Sequence, residues 1–145
     1  MPTFERNRGI VVGRDAISEP CEAVSVEDGV EIAATLVSVI PPNAVGIAAN
    51  QIGLRGRVCY VNAGQPIILI NPTIVRSSGR IHYLEGCLSF PGEAVRTERF
   101  SNIVVKADNH DKLLEFGTQN LLECVCVQHE IDHLDGITMH ERRVT

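Results

Sequence analysis

The sequence predicts an α+β fold, with antiparallel or mixed sheets packed around a buried central helix that carries a His-Glu-x-x-His motif. Three observations predict it. Residues 25–40, SVEDGVEIAATLVSVI, place apolar side chains at helical spacing. The middle of the chain is rich in β-branched residues and is broken repeatedly by Gly, Pro and Asn. A second helical stretch, from about Asn120 to Leu134, is apolar around most of its circumference, so other elements must enclose it. Helix, strands and helix in that order suggest an α+β domain.

In the first helix Ser25 is the candidate N-cap, and Asp28 three residues later completes a capping-box pattern. Ile32, Ala33, Leu36, Val37 and Ile40 form its apolar stripe, and Pro41-Pro42 ends it. The stretches GRVCYVN, PIILINPTIV and IVVKADNHDKLLEF supply strands, with ADNHDK as a hairpin turn between Val105 and Leu113. A further strand candidate follows YLEGCLSFPGE directly. In the second helix Asn120 with Glu123 resembles a capping box, and Gly136 fits a C-terminal stop.

A chain of 145 residues suits one domain over 1–145, and a hydrophobic fraction of 44% supports a real core. The net charge is −5 and the basic residues form no run, so no stable nucleic-acid partner is expected. No apolar run approaches a membrane span, and the N-terminal MPTFERNRGIVVG lacks the long apolar segment of a secretory signal. A cytoplasmic location is the resulting expectation. The five cysteines, Cys21, Cys59, Cys87, Cys124 and Cys126, are odd in number and lack framework spacing. In a reducing compartment they are thiols or metal ligands rather than disulfides.

The chemistry concentrates in VCVQHEIDHLDG, residues 125–136. His129 and His133, four apart on a helix, share one face and can reach one metal ion. Glu130 projects to the side, where it can approach a water held by that metal. An exposed polar helix would also tolerate the motif, but Leu121, Leu122, Val125, Val127, Ile131 and Leu134 wrap this one in apolar residues. Buried imidazoles and carboxylates are costly without a metal or partners. The third ligand is less obvious. The residues after His133 offer Asp135, His140 and Glu141, without space for the later helix that completes an ordinary metalloprotease site. Upstream, Cys87 in YLEGCLSFPGE would make a Cys/His/His set with one open position, or would simply be a small buried hydrophobe; composition decides neither. Cys124 and Cys126, two apart on a helix, diverge and read as packing, although Cys126 borders the turn below His129. Cys21 and Cys59 read as core or near-surface thiols. His82, His110 and His140 read as loop or edge residues, and Tyr83 as either a cleft residue or a partly exposed strand residue.

Three separated segments, VGIAANQIG, EGCLS and QHEIDHLDG, resemble, in this order, the three motifs of the peptide deformylase family, and the likeness runs from about Ile17 to Arg142. The resemblance implies that Cys87, His129 and His133 are metal ligands and that Glu130 is the general acid/base. It implies that Gln51 and the backbone N–H of Leu88 bind the formyl oxygen, and that the backbone at Gly46 aligns the peptide. Val45, Leu122, Val125 and Cys126 would border the methionine pocket, and Glu85 with Arg99 would form a structural ion pair. The implied reaction removes the N-formyl group from N-formylmethionyl nascent peptides and releases formate. The implied cofactor is one divalent ion, Fe2+ in the cell, with Zn2+, Ni2+ or Co2+ as ions carried after purification. The implied partner is a peptide emerging from the ribosome, met by a monomer.

Each role has a physical reason. A divalent metal makes water acidic enough to attack near neutral pH. The developing oxyanion needs preorganised donors, which an amide and a backbone N–H supply without adding charge. This sequence departs from the family pattern at Ala44, where Gly is usual, and at Asn50, where Pro is more frequent. Ala44 is expected to be tolerated provided that no positive φ is needed there, and Asn50 is expected to matter little. The third motif lies close to the end of the sequence, which reads as a short form without a C-terminal extension, compatible with bacterial, organellar or phage origin. Two other readings share the residues: a different amide hydrolase on the same framework, and a purely structural metal site. The second is disfavoured because a closed structural site has a fourth protein ligand and needs no adjacent Glu.

Overall fold

The computed structural model describes residues 10, 11, 13 and 17–144. Residues 1–9, part of the stretch in which no secretory signal was found, lie outside the described residues. Helix α1 spans Val26–Val39, and Ser25 caps it by accepting the Asp28 N–H at 3.1 Å. Its buried face is Gly29, Ala33 and Leu36. Val37, predicted on the apolar stripe, is instead 45% exposed. It lies about 100° around the helix from Leu36, at the margin of that face rather than within it. Gly29 lets the helix close on its neighbouring strand, since a Cβ there would stand 2.7 Å from Ile70 Cγ2.

Strands β1 (Gly46–Ala48), β2 (Val58–Asn62) and β3 (Pro66–Ile70) make an antiparallel sheet in that order. The apolar run PIILINPTIV then breaks in two. Asn71 takes a left-handed φ of 51° and grips the Val24 backbone at both its N–H and its C=O. Asn tolerates this region better than a branched residue does. The chain leaves the first sheet there and enters β4 (Thr73–Ser78) of a second. Next, β5 (Ile81–Glu85) and β6 (Val95–Arg99) pair as a two-stranded ribbon. The second sheet is completed by β7 (Asn102–Lys106) and β8 (Leu114–Phe116), in the order β4-β7-β8. The predicted turn after Val105 joins those last two strands, with Val105 opposite Leu114. Within that turn the Asn109 side chain behaves as a piece of strand. Its Oδ1 accepts the Ile70 N–H at 3.0 Å and its Nδ2 donates to the Ile68 carbonyl at 2.8 Å. The two sheets are tied together along the outer side of β3.

Helix α2 (Leu121–Leu134) packs on β1 and β2, and every residue from Cys124 to Leu134 is buried. The sheets are antiparallel throughout, so the predicted arrangement around a central helix holds, with the mixed option resolved. Asn120 caps α2 by accepting the Glu123 N–H at 3.2 Å. At the other end Gly136 has φ 76°, its N–H donates to the His133 carbonyl, and the Ile137 N–H donates to that of Asp132. A short 3-10 turn, Met139–Arg142, then returns to β6, where Arg143 bridges Thr97. No helix among the described residues is long and apolar enough to cross a membrane.

Gly136 is therefore doubly constrained: by its φ, and by the Ser18 carbonyl oxygen, which a Cβ would meet at 2.3 Å. Gly136→Ala should lower stability by about 2 kcal/mol or more. Urea unfolding followed by circular dichroism measures this, and an unchanged midpoint would contradict the role given to the glycine.

Candidate active site

A fully buried helix has no polar face to spare, yet α2 carries Gln128, His129, Glu130, Asp132 and His133 in its enclosed half. Each must find a partner. Gln128 pairs with both backbone groups of Phe100, accepting its N–H at 3.0 Å and donating to its carbonyl at 2.9 Å. Asp132 receives Arg99 Nη1 and two groups of Arg142, Nε at 3.0 Å and Nη2 at 2.9 Å. Arg99 also holds Glu85 through Nε at 2.7 Å and Nη2 at 2.8 Å, and the Thr97 hydroxyl donates to the same carboxylate. His129 Nδ1–H donates to Glu85 Oε1 at 2.7 Å. That contact fixes the tautomer and turns Nε2 towards the site.

Cys87 enters from the loop after β5, at the end of which Glu85 sits. Its Sγ lies 3.5 Å from His133 Nε2, and the three donor atoms of Cys87, His129 and His133 all lie within 4.8 Å of one another. Bonds of about 2.0–2.3 Å to a tetrahedral metal separate neighbouring donors by about 3.3–3.8 Å, so the residues present fit such an ion. Burial alone would raise the Cys87 thiol, but hydrogen bonds from His129 and His133 outweigh it and bring the pKa down to about 6. His129, which burial would lower, is raised to about 10 by Cys87 and Glu85. His133 is raised as well, chiefly by Cys87 and Glu130, against burial and the neighbouring His129. The pocket thus favours a Cys87 thiolate beside a protonated His129, and a divalent cation displaces such protons on binding. The remaining four cysteines are buried, and their thiols are shifted upward by desolvation.

A cleft of about 630 Å3 opens over these groups. Val45, Gly46, Gln51, Leu88, Leu122, Val125, Cys126 and Glu130 all line it, beside Cys87 and His129. His133 is fully buried and meets the site through Cys87. Gly46 allows the close approach: a Cβ there would stand 2.6 Å from Cys126 Sγ and 2.8 Å from Glu130 Oε2. Glu130 Oε1 lies 3.2 Å from His133 Nδ1. Tyr83 lines the cleft and is also a half-buried strand residue, so both of its readings apply. Cys124 is packed against the Phe100 and Ser101 carbonyls. His82 is exposed on β5, His110 reaches the Ile68 carbonyl, and His140 pairs with Glu93 at 2.8 Å.

Two departures from the motif pattern gain a physical account. Ala44 needs no positive φ, since Asn71 is the one non-glycine with that geometry among the described residues. Asn50 matters more than expected: it is 1% exposed, and its Nδ2 donates to the His133 carbonyl and to that of Ile17. It ties the segment after β1 to the end of α2. Sequence reasoning also missed Arg142 as a partner of Asp132, and Ser89 beside Gln51; neither has a spacing signal, because both contacts form only on folding.

Fold and site together define a class: an α+β domain in which a cysteine and two histidines stand close enough that they could hold one metal ion, with a glutamate alongside, the donor pattern of metal-dependent hydrolases. The family model for polypeptide deformylase matches residues 10–145. The chain is 35% identical over 144 residues to the peptide deformylase of Aquifex aeolicus, covering 92% of this chain and 85% of that one. It is 42% identical over 97 residues to that of Hydrogenovibrio crunogenus, covering 63% of this chain and 57% of the relative's length. Among solved structures, the class I type b peptide deformylase from Acinetobacter baumannii superposes with a TM-score of 0.82 at 28% identity, covering 92% of this chain and 97% of that one. The chain belongs to the polypeptide deformylase family.

Glu85 links His129 to the buried ion network. Burial would raise its pKa, but Arg99 and His129 bring it from the ordinary 4.5 to about 2. Because the folded value is depressed, the ionised carboxylate stabilises the fold above about pH 4.5, and that contribution is lost as pH falls towards about 2. Its full size is about 3 kcal/mol. Glu85→Gln should therefore unfold at lower urea than the parent near pH 6, and the gap between their midpoints should narrow as pH is lowered from about 5 to 2. Parallel pH profiles for the two proteins would remove Glu85 from this role.

Proposed function

We propose that the protein removes the formyl group from N-formylmethionyl nascent peptides and releases formate. The observation that carries this reading is the convergence of Cys87, His129 and His133, with Glu130 and Gln51 lining the same cleft as Cys87 and His129. Cys87, His129 and His133 would hold one divalent ion, Fe2+ in the cell with Zn2+, Ni2+ or Co2+ as substitutes, whose Lewis acidity lets water ionise near neutral pH.

The protein groups supply the rest. Glu130 takes the proton of the attacking water on a carboxylate oxygen and then passes it to the leaving amine nitrogen. The Gln51 Nε2–H and the Leu88 N–H donate to the formyl oxygen as it gains charge. Strand β1 pairs with β2 on one side only, so its other edge at Gly46 is available to align an extended peptide backbone. Val45, Leu122, Val125 and Cys126 enclose the methionine side chain, whose thioether suits an apolar pocket with a thiol. The enzyme acts as a cytoplasmic monomer on chains emerging from the ribosome.

Anaerobically purified, iron-loaded protein should release formate from an N-formyl-Met peptide. Full metal loading without formate release defeats the proposal, and faster cleavage of an acetylated peptide redirects it to another amide. Glu130→Gln should keep its metal while turnover falls roughly a thousandfold. Cys87→Ser should lose metal on dialysis that the parent survives, because a hydroxyl is a poorer ligand than a thiolate.

A further inference from the structure

The side-chain amide of Gln51 is held at both ends. Its Oε1 accepts the Ala48 backbone N–H at 3.0 Å, and its Nε2 donates to Ser89 Oγ at 3.1 Å. Nε2 also lies 3.7 Å from Cys87 Sγ. These contacts do different work. A backbone N–H can only donate, so Ala48 decides which end of the amide carries oxygen and rules out the flipped arrangement. One hydrogen bond still leaves the amide plane free to twist about it. The second, to Ser89, fixes that plane and occupies one of the two Nε2 hydrogens. The other donates to Cys87 Sγ, on the side of the cleft.

Ser89 is built for such a task. It is fully buried, and its backbone is pinned in a turn: its carbonyl accepts the Gly13 N–H at 2.8 Å, while the Phe90 N–H donates to Cys87 at 3.0 Å. Gln51 is itself 1% exposed, so an unmatched N–H there has no water to turn to. The pair also joins two separate parts of the site, the short 3-10 turn Ala49–Ile52 and the loop carrying Cys87.

We infer that Ser89 is a positioning residue that holds the Gln51 amide so that its second N–H, which donates to Cys87 Sγ in this structure, is aimed at the reacting carbonyl. This rests on the oxyanion role given to Gln51 above. A fixed donor acts without reorganising during the reaction, whereas a twisting one loses part of its effect.

The test is a double-mutant cycle on the iron-loaded enzyme, using Ser89→Ala, Gln51→Ala and the combined variant, with metal content measured for each. Ser89→Ala should lower kcat about tenfold with KM within about twofold and metal content unchanged. In the Gln51→Ala background the same change should alter kcat by less than about twofold. Equal losses in both backgrounds would overturn the inference, whereas a Gln51→Ala protein with full kcat would remove the oxyanion role on which it rests. Ser89→Thr keeps the acceptor and should restore kcat to within about threefold of the parent. A second readout needs no turnover. In zinc-loaded, 15N-labelled protein, the Gln51 side-chain NH2 signals, assigned by their loss in Gln51→Ala, should exchange with water about tenfold faster in Ser89→Ala. Unchanged exchange overturns the inference as well.

Discussion

The structure depends on Asp132, and through it on the rule that a buried charge must be matched. Asp132 sits between the two histidines of α2 and receives Arg99 and Arg142 together. Arg99 passes the connection to Glu85, and Glu85 passes it to His129. Buried Arg99 faces both carboxylates, and Arg142, with its side chain 43% exposed, adds a second positive charge at Asp132 from the surface side. Removal of any member would strand its neighbours in a medium that solvates them poorly. The helix bearing His129 and His133 and the ribbon ending beside Cys87 are thus locked by the same charges that orient His129.

This arrangement explains why the donors come from distant parts of the chain and still meet closely. Cys87 hangs from the end of β5, which is anchored by Glu85 two residues before it. The helix end is held by Asn50 at the His133 carbonyl and by Gly136 in its terminal turn. Rigid supports on both sides hold three donors together while the cleft stays open for a substrate. Gly46 contributes by omission, since the space a methyl group would fill is taken by Cys126 and Glu130.

Much of this was legible in the sequence because it is local. Ser25 and Asn120 cap the helices as their spacing implies, the turn after Val105 joins two strands, and the His-Glu-x-x-His face follows from helical periodicity. The motifs named the candidate ligands, whose donor atoms lie within 4.8 Å of one another, Cys87 and His129 lining the cleft and His133 buried behind them. What escaped was tertiary. Val37 was misplaced because periodicity gives the width of an apolar stripe but not which edge meets the sheet. Asn50, Arg142 and Ser89 have partners 33 or more, 10 and 38 positions away, distances at which no spacing rule applies. Likewise the break inside PIILINPTIV depends on Asn71 finding the Val24 backbone.

The Asn109 amide lying along β3 has a colloidal consequence. A sheet edge with unpaired backbone groups invites a second molecule to add a strand, and association of that kind does not stop at two. Here a side chain from the β7–β8 turn occupies Ile68 and Ile70 on the outer strand of the first sheet. At the opposite end of that sheet, Gly46 of β1 borders the cleft, which residues of the segment from Tyr83 to Glu93 also line. A second molecule approaching β3 finds the Ile70 N–H and the Ile68 carbonyl already taken.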